Sequence, residues 1–383
     1  MITGTDVANA PLCVGILVCY HGFLRPQGWT SYVHLFCLVV GLSGLQAHNT
    51  HKPMANATLT AAKAAKNDEF YTQMSDIERE LANYGHHFRG KTVLCNCDDP
   101  RVSNFFKYFT RNFEVLGLKK VIATCYKSQD VDLFSAGTSE KAVYQIYEGD
   151  RDGNSMPDDD EIEVRPLRGD GDFRSPECVE LLRQADIIVT NPPFSLFREY
   201  VAQLVAYHKK FLIVGNKNAI TYKEVFPLIQ DNQIWIGVQP MGVDMLFDIP
   251  DERAEELKEN EDAKGSKYRL VGGLVKARSS SIWFTNLDHH KRHEELVLYK
   301  KYTPEEYPRY DNYAAINVNK VTEIPYDYEG VMGVPITFLD KYNPEQFEIV
   351  GLMASTGVDD YNKGYPYING EKKYARILVK LKK

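Results

Sequence analysis

Between residues 92 and 214, apolar strand-like runs alternate with amphipathic helical stretches, and no other feature restricts the fold so strongly. Thr92-Val93-Leu94-Cys95 is a buried-strand pattern that runs into Asn96-Cys97-Asp98-Asp99-Pro100. A helix is predicted to begin there, with Asp99 as cap and Pro100 in the first helical position. Its apolar stripe is Val102, Phe105, Phe106, Phe109 and Phe113, and Gly117 ends it. Residues 120–124 form the second strand, so strand, acidic turn, helix and strand make a βαβ unit. Further along, a helix over 176–184 leads into a strand at 186–190. A helix with Phe197, Val201, Leu204 and Val205 inward then leads into a strand at 211–214. Residues 233–238 and 280–285 are expected to add two strands, and 143–147 with 161–164 a solvent-facing hairpin around the Gly/Asp-rich turn 149–160. Upstream, Ile77, Leu81 and Tyr84 share one face of an amphipathic helix. This rhythm predicts a doubly wound α/β sheet, whose ligands sit at the carboxyl ends of the strands, so the loop from Asn96 to Asp99 should face the pocket.

The run 186–190 closes on Asn191-Pro192-Pro193-Phe194. An exocyclic amine is a poor nucleophile because its lone pair is delocalised into the ring. To methylate it, an enzyme needs acceptors for both amine hydrogens as the nitrogen pyramidalises. A side-chain amide oxygen on Asn191 and the carbonyl of Pro192, in a turn stiffened by two prolines, can supply them, and Phe194 can stack on a flat base. The plain alternative is a loop with two prolines after a buried strand.

At 383 residues, 44% hydrophobic and 25% charged, the chain is long enough for two domains. A net charge of −7 argues against a passive nucleic-acid coat, although gripping a short duplex needs only a local basic surface. Seven cysteines lack zinc-type spacing and read as reduced thiols of a cytoplasmic protein. Residues 1–53 carry only Asp6, Arg25 and Lys52 as charges, around two apolar stretches. A signal peptide lacks its basic start here, and Arg25-Pro26-Gln27-Gly28 interrupts a membrane span. A leader upstream of a translation start at Met54 is the preferred reading, and no later stretch could span a membrane. Beyond Leu287 the texture changes: twelve of the 24 tyrosines fall in 296–383, as suits a loop-rich recognition region.

Taken in order, Asp68-Glu69-Phe70-Tyr71-Thr72, then Asn96 to Pro100, Asp172-Phe173 and Asn191 to Phe194 resemble the adenine-N6 DNA methyltransferases of the gamma group. DEFYTQ, VLCNCDDPRVSNFFKYF and DKYNPEQFEI are similar to the EcoRI-type family in particular, from Lys66 to Lys383. The resemblance implies a Rossmann-like doubly wound methyltransferase sheet with a C-terminal loop-rich α+β target-recognition region. It further implies S-adenosylmethionine as cofactor, a catalytic domain over 54–287 and a recognition region over 288–383. Asp68, Glu69, Phe70, Tyr71 and Thr72 would wrap the methionine end of the cofactor. Asn96, Asp98, Asp99 and Pro100 would pass beneath it, and Asp172 and Phe173 would meet its adenine. Asn191, Pro192, Pro193 and Phe194 would hold the target base, flipped from double-stranded DNA. No metal is called for, since the leaving group is a neutral thioether. A monomer, a companion restriction endonuclease without a stable complex, and GAATTC as default site complete the expectation.

The resemblance has departures. The loop after the first strand carries no glycine, and Thr124-Cys125-Tyr126 stands where an acidic residue for ribose is expected. An RNA adenine or a protein glutamine is the rival substrate, and a catalytically silent DNA reader the rival class. An intact Asn191 argues against the latter. His289, His290 and His293 are read as a solvated or phosphate-facing stretch in preference to a metal site. Phosphate contacts are expected from among Lys264, Lys267, Arg269, Lys276, Arg278 and the tail 380–383.

Overall fold

The structure, a computed structural model, describes residues 72–97, 103–124 and 142–382, apart from 155, 248–253, 256, 259–264 and 266. The chain divides into two units between Met54 and Ala55, and every described residue lies in the second.

The first described helix, α1 (Met74–Leu81), buries Ile77 and Leu81, and Tyr84 follows it into the core. Strand β1 (Thr92–Asn96) is buried throughout, as its unbroken apolar run demands. Helix α2 then covers Asn104–Arg111, and a short turn of helix, α3 (Phe113–Leu116), ends at Gly117 in the left-handed conformation. The helix therefore begins later than expected. Ser103 is extended at its N-cap, while Asp99, Pro100 and Val102 lie outside the described residues. Phe105, Phe106 and Phe109 form the buried stripe.

Strand β2 (Lys120–Thr124) pairs parallel with β1, completing the βαβ unit. Strands β3 (Val143–Tyr147) and β4 (Glu163–Pro166) form the expected hairpin, but β3 pairs antiparallel with β2 and so extends the main sheet. Only β4 is solvent-facing throughout. Helix α4 (Pro176–Gln184) starts with Ser175 accepting a hydrogen bond from the Cys178 amide and Pro176 at its first position, and leads to β5 (Ile187–Thr190). Helix α5 (Phe197–Ala206), β6 (Lys210–Asn216), α6 (Phe226–Gln230) and β7 (Trp235–Ile236) follow. The strand expected over 233–238 shrinks to two residues.

A small sheet of β8 (Met245–Phe247), β9 (Tyr268–Val271) and β10 (Leu274–Ser279) precedes β11 (Ser281–Thr285). The charged excursion expected near 251–264 lies largely outside the described residues. The main sheet runs β4-β3-β2-β1-β5-β6-β11-β7, parallel across its four central strands and antiparallel toward both edges. Strand alternation sorts its side chains. Leu94, Ile122, Ile188 and Ile213 face α4 and α5, whereas Val93, Val121, Val189 and Val214 face α1 and α2. Helices on both faces of a mostly parallel sheet make the fold doubly wound.

The remaining strands are β12 (Ala315–Asn317), β13 (Val331–Pro335), β14 (Phe347–Met353), the short pair β15 (Tyr367–Ile368) and β16 (Glu371–Lys372), and β17 (Arg376–Leu381). Strands β12, β13, β17 and β14 form a second sheet in that order. Its Ile316, Met332, Val334, Ile349 and Val379 join the core on the α5 face, so the tyrosine-rich region packs on the sheet rather than standing apart from it. Among the described residues, no helix is long and apolar enough to cross a membrane.

The edge at β7 depends on a buried carboxylate. Glu80 of α1 accepts from the Val238 amide at 2.6 Å, the Gln239 amide at 2.8 Å and the Tyr84 hydroxyl at 2.8 Å. Burial pushes its carboxyl above the usual range, against the pull of those three bonds. Gly237 makes the approach feasible, because a Cβ there would stand 2.3 Å from Glu80 Oε1. Glu80→Ala strands three donors in the interior, and the expected loss is about 3 kcal/mol in urea unfolding. Glu80→Gln should lose less. A midpoint unchanged in both variants would show that these bonds do not support the edge.

Candidate active site

In an open α/β sheet, the crevice forms where successive connections leave in opposite directions. Here the chain passes from β1 outward to β2, then returns to the other side of β1 as β5. The carboxyl ends of β1 and β5 therefore bound the switch point, and they carry Asn96 and Asn191.

Asn96 is buried and tied from two directions. Its carbonyl accepts from the Thr190 hydroxyl at the end of β5, and its Oδ1 accepts from the Tyr200 hydroxyl on α5. Tyr200 is wholly buried, and burial raises its phenol well above the usual value, so it stays a neutral donor. Its ring meets Phe173 edge-on, with centroids 5.1 Å apart. Phe173 is held in turn through its carbonyl, which accepts from Gln203 Nε2 at 3.1 Å. One tyrosine thus gathers the β1 terminus, the 172–173 turn and the helix that follows the Asn-Pro-Pro-Phe run. Cys97, next in the chain, has a positive φ of 83°, which turns the backbone sharply as it leaves β1.

Asp172 sits beside this group with both carboxylate oxygens held by Arg174, at 2.9 and 2.7 Å. That hydrogen bonding holds its carboxyl below the ordinary range. Arg174 also reaches Glu199 at 2.8 Å, fastening the turn to α5. Asn191 is half-buried, Pro192 buried, and Pro193 and Phe194 half-buried. Phe194 rests against the apolar cluster on the α1 and α2 side of the sheet. Pro193 is extended, and its carbonyl accepts from the Leu196 amide at 3.0 Å, so the run turns directly into α5.

Thr72 is the one residue of the Asp68–Thr72 group within the described residues. Asp68, Glu69, Phe70, Tyr71, Asp98, Asp99 and Pro100 lie outside them. The Thr72 carbonyl accepts from Asn104 Nδ2 at 2.8 Å, which anchors the end of that segment to the first turn of α2. Its hydroxyl is buried with no hydrogen-bond partner. A buried, unsatisfied hydroxyl next to the first turn of α2 is one that a polar ligand could satisfy. Thr124 closes β2 opposite Asn96, buried where an acidic residue was expected.

Sequence reasoning missed Tyr200, Thr190, Asn104 and Gln203. Each lies in a pattern that reads as ordinary helix or strand, and its polar atom finds its partner only after folding.

The histidine stretch needs correction. His289 and Arg292 are buried rather than solvated. His289 Nε2 bonds the Ile236 carbonyl at 3.0 Å, and desolvation brings its pKa down to about 4, so it is neutral. Arg292 stacks over Trp235 at 3.5 Å. His290 and His293 are exposed, and His293 pairs with Asp288 at 2.8 Å. The stretch is mainly a structural contact between β7 and the C-terminal region.

Known proteins match the chain over most of its length. Residues 58–382 match the family described as "Adenine-specific methyltransferase EcoRI". The type II methyltransferase M.EcoRI of Escherichia coli is 50% identical over 332 residues, which cover 86% of this chain and 97% of that protein. The type II methyltransferase M.MpnI of Mycoplasma pneumoniae is 36% identical over 332 residues, or 83% of this chain and 96% of that protein. M.MgeORF184P of Mycoplasma genitalium, also called a type II methyltransferase, is 35% identical over 83% of this chain and 97% of its own length. No solved structure matches significantly.

A double-mutant cycle tests the tie at the switch point. Tyr200→Phe and Asn96→Ala should each destabilise the protein, with a coupling of about 1 kcal/mol or more in urea unfolding. Strictly additive effects would mean that the hydroxyl and the amide do not act as a pair.

Proposed function

Since the chain belongs to the EcoRI family of adenine-specific methyltransferases, we propose that the crevice between β1 and β5 holds S-adenosylmethionine beside a flipped adenine, with Asn191 and Pro192 as the amine acceptors. The protein is a site-specific adenine DNA methyltransferase of a restriction–modification system. The observation that carries the site assignment is the position of Asn191, directly after β5 at the topological switch.

When bound, the cofactor supplies an electrophilic methyl on a sulfonium. The chain's own residues do the rest. Asn191 Oδ1 accepts one amine hydrogen and the Pro192 carbonyl the other, which frees the lone pair of N6 to point at the methyl carbon. The two prolines restrict the turn, so these dipoles need little reorganisation when the bond forms. Phe194 stacks on the extruded base. Asp172 and Phe173 would meet the cofactor's adenine, and Asp68, Glu69, Phe70, Tyr71 and Thr72 would hold its methionine end. Asn96, Asp98, Asp99 and Pro100 would supply the loop that passes the cofactor. Because its amide oxygen and carbonyl are engaged, Asn96 acts here by shaping the loop.

The proposed division of labour follows the chain: a catalytic domain over 54–287 and a recognition region over 288–383. Monomeric action in the cytoplasm, one strand at a time on GAATTC, alongside a companion endonuclease, fits this reading.

Asn191→Ala should bind S-adenosylmethionine nearly as well as the wild type, and its kcat should fall about 100-fold or more. Tritiated-methyl transfer to duplex DNA, RNA and protein, followed by a restriction-endonuclease challenge of the DNA, measures both substrate class and site. Near-normal turnover in the variant would remove Asn191 from the mechanism.

A further inference from the structure

The sheet β8-β10-β9 is bound to the rim that carries the active site. Strand β10 ends at Ser279, and two residues later Ser281 of β11 pairs with Asn216, the last residue of β6. The Lys217 amide donates to the Ser280 carbonyl at 2.8 Å, locking this corner. Since β6 neighbours β5 in parallel, the base of the β9–β10 hairpin lies at the same carboxyl edge as Asn191.

Two properties of the hairpin point to a partner. The first is charge. No Asp or Glu occurs between residues 263 and 287, a stretch that includes Lys267, Arg269, Lys276 and Arg278, in a chain of net charge −7. At the hairpin's base, Arg278, Arg269 and Lys217 converge on the single carboxylate of Asp244. These three cations gather at the hairpin's base, on the rim that the crevice shares. The second is apolar exposure. Leu270, Val271 and Leu274 are 55%, 46% and 55% exposed, whereas Val275 and Ala277 of the same hairpin are buried. Gly272 and Gly273 form the turn, both at positive φ, and nothing lies within 4 Å of where their Cβ atoms would be. The five residue steps from Leu274 to Ser279 span about 17 Å along the strand at roughly 3.3 Å per residue, which sets the tip apart from the hairpin's base.

We propose that the β9–β10 hairpin is a wedge for duplex DNA. Its basic base holds phosphates next to the target adenine, and its apolar tip enters the base stack there, offsetting the cost of extruding that base. Charge complementarity selects a polyanion as the partner, and the shared rim selects the DNA already being methylated. The apolar tip then has a role that a purely phosphate-binding hairpin would not require.

The inference rests on the reading of the chain as an adenine DNA methyltransferase, and the experiment separates the two. Val271→Ser/Leu274→Ser alters only exposed side chains, so its urea midpoint and its affinity for S-adenosylmethionine should match the wild type. Methyl transfer is measured on a matched duplex and on the same duplex with the target adenine mispaired, which lowers the cost of extrusion. Expected for the variant is a fall in kcat/KM of about 10-fold or more on the matched duplex, and activity within about twofold of wild type on the mispaired one. Unchanged activity on the matched duplex overturns the wedge, and so does an equal loss on both substrates. Failure of the wild type itself to methylate adenine in either duplex would count against the enzymatic reading instead.

Discussion

The candidate crevice depends on the double tether of Asn96. Strands β1 and β5 leave the switch point in opposite topological directions, and the loops above them must nevertheless keep a fixed separation. Thr190 and Tyr200 supply that constraint, one hydroxyl to the Asn96 carbonyl and the other to its side-chain amide. Both bonds are buried, where an unmade hydrogen bond is costly, so the pair favours one arrangement over many. Phe173 and Gln203 extend the same constraint to the 172–173 turn. Three segments far apart in sequence are thereby referred to one tyrosine. A methyl transfer that relies on aligned dipoles rather than on a strong base needs such a frame, because small displacements of the acceptors weaken it steeply.

A second buried group fixes the opposite flank. Glu80 binds the turn after β7 to α1, and Lys291 donates to the Val238 carbonyl of that turn at 2.6 Å. The same turn continues to Met241, whose amide donates to Asp340 at 2.9 Å. The edge of the catalytic sheet is therefore joined to the C-terminal region by carboxylates accepting from backbone amides. The apolar core continues through both. The sheet edge and the C-terminal region cannot shift against each other without breaking these hydrogen bonds.

Much of the fold was legible because buried strands and helix ends leave local marks. The apolar runs at 92–95, 120–124, 186–190 and 211–214 each became central strands, the helix expected over 176–184 formed there, and Gly117 marked a helix end where the chemistry of caps places it. Two shorter predictions went astray for tertiary reasons. The run 233–238 reads as a strand, but the Glu80 carboxylate takes the amides of Val238 and Gln239 and pulls them into a turn. The stretch 288–294 reads as solvated because nearly every residue is polar, yet the stacking of Arg292 on Trp235 draws it inward. At the candidate site, Asn191 and Phe173 were visible as motif residues. Tyr200 was not, because a tyrosine on the apolar face of a helix looks like packing until its hydroxyl meets a partner more than a hundred residues away.

Net charge alone would make this chain a poor ligand for DNA, and its resolution lies in how the charge is distributed. At physiological salt, screening reduces the reach of a charge to about 8 Å, so the distant acidic surface contributes little at the contact. What matters is the charge close to the contact. At the base of the β9–β10 hairpin, Lys217, Arg269 and Arg278 gather around Asp244. Asp244 is itself useful in this setting. Three like charges would repel one another and splay, whereas a shared carboxylate gathers them on one side of the rim. An acidic protein can in this way present a compact cationic edge where a phosphate backbone must lie, without becoming a general binder of nucleic acid.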